Sequence, residues 1–184
     1  MHYTDITPYL HENNAIEKLS KCAIFDDIVI AAADIKENQS LNAWAEQWDV
    51  AIRFGSIFDV TDRLKSIVNE FSALTILRVL PQWYFIDLDL IKSMIVYIEK
   101  FKADYILLPR NFDMRFGGDV FSKNFVDIVS SRFKGNETLS NAYSFNPWGY
   151  ADLHSKDSEL RIKEFIDIPS YSKKDFKVFK EKYN

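Results

Sequence analysis

Residues 28–56 read IVIAAADIKENQSLNAWAEQWDVAIRFGS, and this stretch decides the fold class. Residues 28–33 form an apolar run between Asp26-Asp27 and Asp34, the pattern of a strand buried on both faces. Ser40 is placed to N-cap a helix that continues through Leu41, Trp44 and Ala45 to Trp48. Residues 50–54 make a second short strand, closed by Gly55-Ser56. Strands and helices that take turns in this way imply an α/β fold around a mostly parallel sheet.

Working outward, the alternation continues. Upstream, residues 12–21 carry Ala15, Ile16 and Leu19 as a short amphipathic helix. Downstream, Val60, Leu64, Ile67, Val68 and Phe71 mark one face of a helix over 59–71. Residues 74–80 are a third strand, stopped by Pro81 because proline cannot donate to a ladder. A strongly apolar helix covers 87–101, and 105–108 is a strand ended by Pro109. A short strand at 119–121 leads into a helix at 125–133. The stretch 136–156 is polar, aromatic and irregular, 160–166 reads as a last strand, and 171–183 as a basic terminal helix. No internal repeat or low-complexity linker interrupts the order, so the expectation is one domain over 1–184, with its core at about 23–132.

Composition narrows the function. The 184 residues are 47% hydrophobic and 27% charged, a folded soluble composition. One cysteine excludes an internal disulfide framework and a multi-cysteine zinc site. Cys22, beside Ala23-Ile24, reads as a buried helix-end thiol. Five glycines count against a glycine-rich phosphate loop, and a net charge of -4 counts against general nucleic-acid binding. No run approaches a membrane span, and residues 1–9 carry no apolar signal core. The expectation is a cytoplasmic protein with neither nucleic-acid nor membrane partners.

Three stretches point further. The first is 28–34 (IVIAAAD), the second 53–63 (RFGSIFDVTDR) and the third 78–91 (RVLPQWYFIDLDLI). Ala103-Asp104-Tyr105 and Gly118-Asp119-Val120-Phe121-Ser122 follow in order. Over about 23–132 the chain resembles the cytidylyltransferases that activate sugars, the group of spore-coat polysaccharide nucleotidyltransferases and CMP-sialic-acid synthetases. That resemblance implies a Rossmann-like nucleotidyltransferase fold, that of the nucleotide-diphospho-sugar transferases, in an N-terminally truncated form. The family's opening strand and its basic CTP-phosphate loop have no counterpart before Tyr9. The missing strand would lie between strands 28–33 and 74–80, so these are expected to pair directly or to have the gap filled by another chain. Gln82 stands where the family places its first magnesium aspartate, and a neutral amide is a poor ligand for a hard dication.

In an open α/β sheet, ligands bind at the carboxyl ends of the strands. The substrate-binding candidates there are Arg63, Arg78, Gln82, Trp83, Arg110 and Arg115, and Asp119 is the metal candidate. Arg63 and Arg78 can meet a phosphate or a sugar carboxylate, or pair with Asp59 or Asp62. Asp87 and Asp89 read as caps at a helix start. Trp83-Tyr84-Phe85 either stack on a ligand or fill space, with filling favoured. Tyr143, Phe145, Trp148 and Tyr150 close over a sugar or make a subunit contact. His2, His11 and His154 show no metal spacing.

The leading expectation is a degenerate or partial cytidylyltransferase-like domain of surface-polysaccharide or sugar-nucleotide metabolism, not catalytic alone. It would meet a sugar or sugar nucleotide, form a homodimer and need no cofactor. An active nucleotidyl- or glycosyltransferase with a rebuilt donor site, which alone would call for magnesium, is the first alternative. An interaction scaffold in cell-envelope glycan synthesis is the second.

Overall fold

A computed structural model of the chain describes residues 15–80, 83, 85–134, 146–156 and 158–166. The helices are α1 Ala15–Ser20, α2 Leu41–Gln47, α3 Val60–Glu70, α4 Leu88–Phe101, α5 Lys123–Phe133 and α6 Pro147–Leu153. The strands are β1 Val29–Ala33, β2 Ala51–Gly55, β3 Thr75–Arg78, β4 Tyr105–Leu107, β5 Asp119–Ser122 and β6 Ile162–Glu164. β1 and β2 pair in parallel, from Val29 against Ala51 to Ala33 against Gly55. The other four strands form a second sheet in the order β3-β5-β4-β6.

The α/β class holds, but the expectation of a mostly parallel sheet is corrected. After β4 the chain has only residues 108–118 before β5, with a single 3-10 turn at Met114–Phe116. That is too short for a crossover helix, so the chain doubles back and β5 pairs antiparallel with β4. β5 also pairs antiparallel with β3, with Thr75 opposite Ser122 and Arg78 opposite Asp119. It is therefore inserted between two strands that the α4 crossover had left parallel to each other. β6 adds in parallel at the far edge of β4.

The period-two alternation of the four-stranded sheet sorts its side chains onto two covered faces. Tyr105, Leu107 and Phe121 join Val68 of α3, Phe125, Val129 and Phe133 of α5, and Tyr150 of α6. Their neighbours in the chain, Ile106, Leu108 and Val120, turn the other way onto Leu90, Met94 and Ile98 of α4. α4 was legible because its apolar spacing and its cap agree. The Asp87 carboxylate accepts from the backbone N–H of Asp89 and of Leu90, satisfying two donors that the first turn leaves open. The Asp59 carboxylate caps α3 by accepting from Asp62 N–H, and the Ser122 hydroxyl caps α5 by accepting from Phe125 N–H.

Four local expectations change. Residues 28–33 are not buried on both faces: only Ala32 is buried and Ala31 is exposed, because β1 belongs to a two-stranded sheet. Ser40 ends a 3-10 turn over Lys36–Ser40 and makes no side-chain cap. The stretch expected to be irregular contains α6, started by Asn146, whose side chain accepts from Gly149 N–H, with Pro147 in the first turn. Strands β1 and β3 do not pair directly; among the described residues β1 pairs with β2 and β3 with β5. An apolar cluster of Leu19, Ile86 and Ile91 takes in Leu77 of β3 and Ile28, the residue just before β1. Cys22 is buried just beyond α1, its N–H on the Leu19 carbonyl. The segment before Tyr9 and the helix expected at 171–183 lie outside the described residues. Among those described, no helix is long and apolar enough to cross a membrane.

Asp104 fastens β4, β5 and β6 together. It is 1% exposed. Its carboxylate accepts from Ser122 Oγ (3.0 Å), Asn124 Nδ2 (3.1 Å), Arg161 N–H (2.8 Å) and Arg161 Nε (3.2 Å). Burial pushes this carboxyl up, but the bonds from Arg161, Asn124 and Ser122 outweigh it and hold it below the ordinary aspartate range. A depressed carboxyl contributes stability above its unfolded pKa and loses it as pH falls through the folded value. Asp104→Asn should therefore cost about 2 kcal/mol near neutrality. The deficit should begin to shrink below about pH 4, where the unfolded chain protonates, and fade as pH falls through the depressed folded value. Urea unfolding of both proteins across the acid range measures it.

Candidate functional site

The carboxyl end of β2 passes through Gly55 and Ser56 into α3. Ser56 Oγ accepts from the N–H groups of Phe58 (3.1 Å) and Asp59 (2.9 Å), a turn that aims the first turn of α3 back over the strand end. Arg63 follows one turn later, and its stem crosses Gly55 so closely that a Cβ there would lie 3.0 Å from Arg63 Cγ. Arg63 Nη1 donates to the Ser56 carbonyl at 3.0 Å, while Nε is buried with no hydrogen-bond partner. The carboxylates that sequence offered as partners do not serve it. Asp59 accepts from Asp62 N–H as the helix cap, and Arg63 pairs with neither aspartate. Burial lowers the Arg63 pKa, and the charge of Arg78 lowers it further.

Arg78 closes β3 and is 8% exposed. Register places it opposite Asp119, and Arg78 Nη1 lies 3.3 Å from Asp119 Oδ2. The other oxygen, Oδ1, accepts from the Tyr105 hydroxyl at 2.5 Å. Asp119 is 1% exposed, and burial raises its pKa despite the opposing pull of Arg78 and Tyr105. The Tyr105 hydroxyl is held well above its ordinary range, by burial first and by Asp119 next. Tyr105 was missed in the sequence because a strand-opening tyrosine looks like core; its partner stands 14 residues away. Gly118 is the second omission. A Cβ there would meet Leu77 Cδ1 at 2.7 Å and the Arg78 carbonyl at 3.0 Å, so only glycine lets β5 begin this close to the end of β3.

The remaining candidates are dispersed. Arg110 is largely exposed and bonds Asp152 of α6 at 2.6 Å. Arg115 grips Asp113 with two bonds, Nε at 2.8 Å and Nη2 at 2.5 Å, within its own 3-10 turn. Gln82, with Pro81 and Tyr84, lies outside the described residues. Trp83 is half-buried, its N–H on the Leu80 carbonyl, and Phe85 is buried against Phe116 with ring centroids 5.8 Å apart. Of the second aromatic group, Tyr143 and Phe145 lie outside the described residues. Tyr150 is core, packed edge-on against Phe125 and Phe133, and Trp148 Nε1 donates to the Leu108 carbonyl at 2.7 Å. Arg53, which heads the second motif, forms an exposed ion pair with Glu70.

A magnesium ion takes oxygens with open lone pairs and keeps several waters. Asp119 offers a sealed carboxylate with both oxygens engaged, and no three His, Cys, Asp or Glu side chains converge among the described residues. Asp119 placed in this way does not fit the ion. What the arrangement does is store a charge inside the sheet. Tyr105→Phe should remove the donor that favours ionised Asp119, leaving Oδ1 buried and unsatisfied at a cost of about 2 kcal/mol. The carboxyl's folded pKa, already raised, then rises further. The loss should be full near pH 7 and fade toward about pH 4, where Asp119 is protonated in both states. Chemical denaturation at the two pH values tests the sign.

No family model matches this sequence. An uncharacterized protein of Methanocaldococcus jannaschii is 23% identical over 172 residues, which span 90% of this chain and 69% of that protein. A cytidylyltransferase structure from Leptospira borgpetersenii serovar Hardjo-bovis matches with a TM-score of 0.71, over 94% of this chain and 70% of that one, at 15% identity. At that identity the likeness is one of fold: the chain has the α/β fold of a cytidylyltransferase.

Proposed function

We propose that this chain is a cytidylyltransferase-like domain of sugar-nucleotide or surface-polysaccharide metabolism that binds a phosphorylated sugar or nucleotide and does not transfer a cytidylyl group by itself. The shared fold supports the nucleotidyltransferase part of the reading. The observation that supports the non-transferring part is the burial of Asp119 between Arg78 and Tyr105. Cytidylyl transfer needs the triphosphate charge neutralised while an attacking oxygen is held in line with the α-phosphorus. A carboxylate already balanced by a guanidinium and a phenol has no charge left to recruit a dication. Removing one such electrostatic element typically costs a hundredfold or more in rate.

Incubating the purified chain with CTP, magnesium and a panel of sugar acids and sugar phosphates should release no pyrophosphate. Calorimetry should detect no magnesium-dependent CTP binding at millimolar ligand. Magnesium-dependent CTP binding that Asp119→Ala abolishes would overturn the reading in favour of an active transferase.

A further inference from the structure

No further inference is drawn: the strongest candidate, the strand edges of β1 and β3 that no other described strand pairs, beside the apolar cluster that takes in Ile28, Leu77 and Val79, carries nothing because nothing in the structure shows what covers them.

Discussion

Asp119 carries its charge at the centre of the sheet, and the surrounding structure is arranged around that fact. A carboxylate removed from water must be paired and hydrogen-bonded or take up a proton. Arg78 and Tyr105 supply the charge and the bond, and they come from the two strands that flank it, β3 and β4. The interaction therefore cross-links three neighbouring strands in the one place where their order departs from a simple parallel alternation. Gly118 belongs to the same constraint, since the close approach that aligns Arg78 with Asp119 leaves no room for a side chain beside Leu77. Pairs of this kind add little net stability over an apolar substitute, yet losing one partner is costly. The triad is better understood as fixing register than as adding strength.

A second carboxylate, Asp104, works at the opposite end of the β4 and β5 ladder, where water is nearer. Its Arg161 partner is more than half exposed, and five bonds from three residues hold the charge. Asp104 therefore titrates low and Asp119 high. The difference lies in the balance of burial against donors. Two partners do not offset burial at Asp119, while five bonds exceed it at Asp104. Such opposite shifts in one sheet show why a buried aspartate cannot be taken for a metal ligand on position alone.

What was legible in the sequence was local. The spacing of Leu90, Ile91, Met94 and Ile98 with Asp87 before it defined α4 nearly to the residue, because periodicity and capping are written within a few positions. α6 was equally local and was overlooked: Asn146-Pro147 is a cap followed by proline in the first turn, embedded in a polar stretch. The insertion of β5 between β3 and β4 was not legible, since it depends on Arg78 meeting a residue 41 positions away. The candidate site divided along the same line. Motif order placed Arg63, Arg78 and Asp119 near strand ends, but each pairing was decided by tertiary contact. Arg78 found Asp119 and not Asp59 or Asp62, and Arg63 found a carbonyl and no carboxylate.

That last asymmetry separates this arrangement from a metal-dependent one. A metal-dependent site concentrates negative groups so that a cation can enter and draw in a polyphosphate. Here the buried Asp119 carboxylate is paired with a guanidinium and a phenol, and it is Arg63 Nε that is buried with no hydrogen-bond partner among the described residues. With both oxygens engaged by Arg78 and Tyr105, the charge of Asp119 is used within the sheet, where it holds the register of β3, β4 and β5.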